Sequence, residues 1–283
     1  MSSAEIVKSL QNQHVKDALA LHTSKHRLAE EACLVVGDKA IDEAKKAGWS
    51  AKRYFFRDDV LTPESFAAGK PWQIVSNAVL KAIAETESAP PVVAVFHLPA
   101  STKPLTLEEL PFPQSSRETL LVLDGLQDPG NLGTIFRTAV AFGVKQVLLI
   151  QPMADAYASK VIRSSTGLQF RLQIHAIRHE ETHAVLKTLS QKGWHPYLAD
   201  AFDESHASPL YLHELKTLPT CPMAVVLGQE GQGLRLSESE KQAFSTLSVG
   251  MCDEAESLNV AITGSLILHH LYSLKQSAGK ETL

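Results

Sequence analysis

Three short segments of this 283-residue chain gather residue types that bind ligands or take part in chemistry. The first, Asp128-Pro-Gly-Asn-Leu-Gly-Thr-Ile-Phe-Arg137, follows an apolar run at 120–123 and opens a helical pattern. A helix N-terminus offers free N–H groups to an anion or carboxylate, and Asn131 and Arg137 add polar side chains there. The plainer alternative is a helix capped by Asn131 with a surface arginine. The second, Leu227-Gly-Gln-Glu-Gly-Gln-Gly-Leu234, directly follows the apolar run 224–227. Three glycines in six positions permit positive φ and close backbone approach to a ligand, or simply a tight turn. No Lys-Ser/Thr pair follows them, so this is not a Walker loop, and the order GxxGxG is not the dinucleotide fingerprint GxGxxG. The third, Glu256-Ser-Leu-Asn-Val260, opens an apolar C-terminal helix for which Ser257 is a candidate cap.

Strands and helices must hold these loops. After residue 117 the two alternate: strands at 120–123, 147–150, 196–199 and 224–227, with helices from Asn131 to Gly143, at 182–191 and at 258–274. That alternation predicts a parallel sheet covered on both faces. The last helix is apolar around most of its circumference in its first three turns, as expected of one buried on several sides or packed at a subunit interface. Earlier in the chain, helices are expected at 8–21 and 38–47, and strands at 33–36 and 91–96. The stretch 98–117 holds four prolines, which resist helix and sheet interiors, and is expected to link two domains, 1–97 and 118–283.

Composition narrows the classes of function. Apolar residues are 44% of the chain and charged residues 20%, which excludes wholesale disorder. No apolar stretch approaches the about 18–20 residues of a bilayer-spanning helix, and the first residues lack a secretory-signal layout. Three scattered cysteines argue against a disulfide framework, so a cytoplasmic protein is expected, or an organellar one if a transit peptide has been removed. The net charge of −4 does not suit a general nucleic-acid binder. Residues 1–117 balance 14 basic against 14 acidic groups, leaving 13 against 17 for the rest, so any RNA contact must use local cations. Twelve histidines show neither HExxH nor a Cys–His zinc spacing, no G-x-S-x-G elbow is present, and no base accompanies Cys252. No metal is expected.

Order, spacing and surroundings of the three segments resemble the SpoU branch of the SPOUT methyltransferases, knotted enzymes that methylate ribose 2′-hydroxyls in RNA. The pattern N-x-G-x-x-x-R-x-A is met by Asn131, Gly133, Arg137 and Ala139; the second motif resembles Gly228-Gln-Glu-Gly-Gln-Gly233; and Ser257-Leu-Asn-Val260 matches S-L-N-V. Arg163-Ser-Ser-Thr-Gly167 is similar to a segment between the first two. Residues 6–16, 24–27 and 35–38 resemble the small ribosomal-protein-like RNA-binding domain that precedes many such catalytic domains. Two departures stand out: Val249-Gly250-Met251 where the family usually carries Ile-Pro-Met, and Asp253-Glu254 where small residues are commoner.

The resemblance implies an α/β fold: a C-terminal parallel-sheet domain with a deep trefoil knot, plus a small N-terminal α/β RNA-binding domain. It implies S-adenosylmethionine as cofactor, touched by Leu227, Gly228, Val249, Met251 and Leu258, and a homodimer whose sites are completed across the interface. Gly228 is expected to let the backbone approach the ligand. RNA, with ribosomal RNA favoured by the extra N-terminal domain, is the implied substrate, and Lys16, Lys25, Arg27 and Arg163 are the candidate RNA contacts. Asn131 is expected to position the ribose or Arg137, Ser257 and Asn259 to hold the loops and substrate, and Glu230 to brace the glycine loop. The family proposal makes Arg137 the general base. Deprotonating a guanidinium at pH 7 costs about 7 kcal/mol, so a charged Arg137 that grips phosphate and stabilises a developing alkoxide is an equal candidate. The alternative function is a catalytically silent RNA-binding or ribosome-assembly module of the same fold.

Overall fold

The computed structural model describes residues 5–60, 63–99, 103–178, 181–200, 210–252 and 257–280, with no side chains described for 278–280. The departure at Asp253-Glu254, together with Glu256 of the third segment, lies outside the described residues. Two compact units emerge, one of residues 1–100 with 155–171, the other of 101–154 with 172–283.

The first unit contains α1 (Gln13–Ala20), α2 (Ser24–Ala29), β1 (Ala32–Val36), α3 (Asp38–Lys46), β2 (Ala51–Arg57), α4 (Pro63–Ala67), β3 (Trp72–Val75), α5 (Asn77–Ala84) and β4 (Val92–His97). Its sheet runs β1-β4-β2-β3, with β4 antiparallel to both neighbours and β2 parallel to β3. Alternation along β2 sends Tyr54 and Phe56 to one face and Phe55 to the other, and each face carries its own buried cluster. The first helix is shorter than its apolar pattern suggests. Asn12 caps it, accepting from His14 N–H at 3.0 Å, while Val7 bridges to Val75 as an extra strand-like contact. Residues 155–171 complete this unit and contribute Ile162 and Phe170 to its core. Gly167 sits at φ +79°, and a Cβ there would lie 2.7 Å from Ala40 Cα, so the Arg163–Gly167 segment is shaped for close packing.

The second unit holds β5 (Thr119–Asp124), α6 (Pro129–Ala141), β6 (Gln146–Ile150), β7 (Gln173–Ile177), α8 (Thr182–Gln191), β8 (His195–Ala199), β9 (Leu210–Tyr211), β10 (Met223–Leu227), α9 (Glu238–Lys241), β11 (Ser245–Ser248) and α10 (Val260–Lys280); α7 (Ser159–Ser164) belongs to the first unit. Seven strands run β7-β6-β5-β10-β8-β11-β9, and every pairing is parallel. The central strands β5 and β10 are buried along their whole length, as a sheet covered on both faces requires. The proline-rich stretch is anchored from residue 105 on. Leu105 N–H donates to Ala176 O at 2.7 Å, Leu110 is buried, and Trp194 Nε1 donates to Pro111 O at 2.8 Å. No helix among the described residues is long and apolar enough to cross a membrane.

Candidate active site

The first two ligand-type segments follow strands β5 and β10 of the second unit, and the third opens α10. The first begins with Asp128, not Asn131, as the cap of α6: its carboxylate accepts from Asn131 N–H at 2.8 Å, and Pro129 occupies the first turn. Aspartate before proline outcompetes an internal asparagine because proline has no N–H to lose at that position. A Cβ on Gly130 would lie 2.8 Å from the capping carboxylate, which would have to shift to admit it. Freed from capping, the Asn131 side chain is available to the site.

The glycine loop after β10 closes on itself. Gln229 and Gly233 exchange N–H···O bonds of 2.8 Å, and Gly231 and Gly233 sit at φ +76° and +70°. A Cβ on Gly228 would lie 2.4 Å from the Gly233 carbonyl carbon. The returning loop thus requires glycine at 228, a constraint separate from the expected approach of its backbone to the ligand. Beyond the loop, Arg235 is clamped to the fully buried Asp124 at the end of β5. Its backbone N–H and Nε donate to the carboxylate at 2.8 and 2.7 Å, and Thr182 Oγ1 adds a third donor at 3.0 Å. Arg235 Nη2 also donates to Ile150 O at 2.9 Å. Sequence reasoning missed this clamp; its only signal was an acid ending an apolar strand. Such a buried carboxylate is tolerated because every face of it is hydrogen-bonded.

The third segment also corrects its expected cap. Asn259, not Ser257, caps α10: its Oδ1 accepts from Ala261 and Ile262 N–H at 2.9 and 3.3 Å. That fixes the orientation of its amide, so Nδ2 must donate. It does so to Glu230 and, at 3.2 Å, to Asn131 Oδ1, while Asn131 Nδ2 donates to Glu230 Oε1 at 2.7 Å. One residue from each segment thus joins a single network, with the Glu230 carboxylate as common acceptor.

Beside that network opens a cleft of about 520 Å³. Its lining includes all five expected cofactor residues, Leu227, Gly228, Val249, Met251 and Leu258, together with Glu230, Ser257 and Asn259. Lysine 241 reaches Asp200, another lining residue, at 2.8 Å; burial opposes its charge, yet its bonds to Asp200 and Glu238 raise its pKa. Gly250 needs no positive φ, and a Cβ there would meet His213 at an ordinary 3.5 Å, so its replacement of proline frees the turn without being forced by space. Arg137 lies outside this lining, exposed on α6, its side chain making no hydrogen bond or ion pair among the described residues. Nearby, Thr138 Oγ1 meets Ser265 Oγ of α10 at 3.1 Å. Across its outer side α10 exposes Ile262 and Leu266, 50% and 42% accessible, below an exposed Leu258.

The four expected RNA cations all fall in the first unit, with different fates. Lys16 and Lys25 are exposed, and their side chains make no hydrogen bond or ion pair among the described residues. Arg27 is a correction. It is buried, with Nε and Nη2 on Asp155 Oδ2 at 3.0 and 2.6 Å and Nη1 on Leu21 O and His22 O. Its donors are consumed by the fold. Arg163 is half-buried and donates to Ala84 O at 3.0 Å, tying α7 to the end of α5.

Comparison with known proteins decides the family. Residues 118–269 match the SpoU rRNA Methylase family, and residues 12–94 match an MRM3-like substrate binding domain. This chain belongs to the SpoU rRNA methylase family. Among its relatives, the 23S rRNA (guanosine(2553)-2′-O)-methyltransferase RlmP of Bacillus subtilis is 30% identical over 267 residues, covering 94% of this chain and 98% of the relative. The AdoMet-bound rRNA methyltransferase from Sinorhizobium meliloti aligns with a TM-score of 0.76 at 25% identity, covering 96% of this chain and 98% of that one. A further crystal structure, of an RNA 2′-O ribose methyltransferase, gives a TM-score of 0.76 at 28% identity over 96% of this chain and all of its own. In this SpoU protein the matched region holds all three motif segments, and its parallel seven-stranded sheet is the α/β architecture that these structures share.

Proposed function

We propose that this protein methylates a ribose 2′-hydroxyl of ribosomal RNA, using S-adenosylmethionine held in the cleft of the second unit. The observation that carries the reading is the network of Asn131, Glu230 and Asn259, which draws the three motif segments to one edge of that cleft. The cleft suits such a cofactor. Its volume falls within the about 300–1,000 Å³ of small-molecule sites, and its lining offers backbone groups for an adenine edge beside Leu227, Val249, Met251 and Leu258 for apolar faces. The cofactor supplies an electrophilic methyl group on a positively charged sulfur. Around it, Asn131 and Ser257 orient the ribose, and Glu230 holds both asparagines so that their amides face one way. Arg137 stays protonated, binds the phosphate beside the target ribose, and stabilises the 2′-oxygen as its proton passes to solvent.

The same reading includes a homodimer. In one subunit Arg137 stands outside the cleft lining, and the exposed Leu258, Ile262 and Leu266 on one side of α10 suit a second copy that brings Arg137 to a neighbouring site. The trefoil knot and a cytoplasmic location, where ribosomal RNA is available, belong to it as well. Calorimetry with S-adenosylmethionine and methyl transfer to ribosomal RNA lacking the modification test it. Binding with transfer supports an enzyme; binding without transfer to any RNA overturns the reading in favour of a silent module. Light scattering should give twice the chain mass, and a monomer that transfers methyl groups would refute the dimeric site.

A further inference from the structure

The first unit has a cleft of its own, about 640 Å³, lined by residues of α1, α2 and the adjacent strands β1, β4 and β2. Ala18, Leu21, Ala32 and Val95 form an apolar wall, and Lys16, Lys52 and Arg53 supply three cations against the acids Asp17 and Glu30. How two consecutive basic residues of β2 come to line one cleft is a matter of register. Ala51 stands opposite Phe96 and Arg53 opposite Val95, so Lys52 is an extra residue in a bulge. Strict alternation would send Lys52 and Arg53 to opposite faces; the bulge re-aims them together.

Arg53 is the unusual member. It shares a sheet face with Phe55 and is half-buried, a position normally apolar, and burial lowers its pKa against the weaker pull of Asp17. Yet its guanidinium makes no hydrogen bond or ion pair among the described residues. Its neighbours differ: Arg27 is spent on Asp155 and two carbonyls, Arg57 holds Asp59 at 2.6 Å and Ala89 O, and Arg171 holds Glu43. Asp17 is itself engaged by Gln13 Nε2 at 2.7 Å, and Lys52 Nζ spends one donor on Glu30 O. A guanidinium that has lost part of its hydration without gaining a hydrogen bond is poised for an acceptor, and its planar fork matches two phosphate oxygens. Three cations against two acids leave one positive charge, which suits the single negative charge of a phosphodiester.

We propose that this cleft binds one nucleotide of the RNA strand, its phosphodiester on Arg53 and Lys16 and its sugar and base against the apolar wall. The inference rests on RNA being the substrate and assigns a place where the strand is held. Phenylglyoxal modification of arginines in the full chain, mapped by mass spectrometry with and without a single-stranded ribosomal RNA oligonucleotide, tests it. RNA should protect Arg53 while Arg57 reacts unchanged. R53Q should weaken RNA binding by about ten- to hundredfold and lower the salt-dependence slope by about 0.7–0.9, with cofactor affinity unaltered. Equal Arg53 reactivity at saturating RNA overturns the proposal, as does protection by polyglutamate but not by RNA. If R53Q does not fold, the footprint on the natural chain decides. Failure of methyl transfer with Arg53 still protected would refute the enzymatic reading and leave this one standing.

Discussion

The two clefts are built on opposite principles. The cleft of the second unit is framed by loops whose key residues satisfy one another: Asp128 caps α6, Gly228 admits the returning loop, and Asn259 caps α10 while reaching Glu230. The cleft of the first unit is framed by charges, among them the half-buried Arg53, whose guanidinium has no hydrogen bond or ion pair among the described residues. Arg27 and Arg53 lie in one unit and have one chemistry, yet the first has its donors filled by the fold and the second has them all in reserve. A loop residue announces its task by type and position, whereas a cation acquires its task only from what packs against it.

Mutations can break or sharpen that contrast. The largest effect is expected from Arg137→Ala, which should lower methyl transfer by about 10²–10³-fold while leaving cofactor affinity within a few-fold, because the residue lies outside the cofactor cleft. If Arg137 stays charged, the pH–rate profile of Arg137→Lys should show no new ionisation below about pH 9; a base role would abolish activity in both variants. Gly228→Val comes next. Its Cβ would meet the Gly233 backbone at 2.4 Å, so about 1–3 kcal/mol of stability and at least tenfold in cofactor affinity should be lost, measured by denaturation and calorimetry. Gly231→Ala sharpens the point, since a Cβ there meets nothing within 4 Å and only the positive φ is strained.

In the first unit, Arg27→Gln should destabilise the fold by about 3 kcal/mol, seen as a lowered denaturation midpoint, because it strands Asp155 and two carbonyls. Lys25→Gln should leave that midpoint unchanged. The reverse result would restore Arg27 as an RNA contact. Asn259→Ala should cost less than Arg27→Gln, about 1 kcal/mol for the lost helix cap, with a further fall in kcat as Glu230 loses a donor.

The parallel sheet, the long helices and the three loops were legible in the sequence because period, glycine and cap residues act locally. α8 at Thr182–Gln191 falls where its pattern placed it, and β10 within a residue. What was not legible depends on distant partners. Asn131 and Ser257 were assigned caps that Asp128 and Asn259 hold, since several capping residues compete within one turn. The Asp124–Arg235 clamp spans 111 positions, and the cleft at Arg53 depends on a bulge that no short window reveals. Residues 155–171, contiguous with the catalytic region in sequence, pack into the first unit through Ile162 and Phe170.

The central claim is methylation of a ribose 2′-oxygen, and the position of the methyl group tests it most directly. A 2′-O-methyl removes the hydroxyl that alkali needs to cleave the adjacent phosphodiester. Ribosomal RNA labelled by this protein from radioactive S-adenosylmethionine should therefore release its label, after alkaline hydrolysis, in an alkali-resistant dinucleotide, and Arg137→Ala should lower the rate at which that label appears by about 10²–10³-fold. Label recovered in mononucleotides would place the methyl on a base and contradict the account.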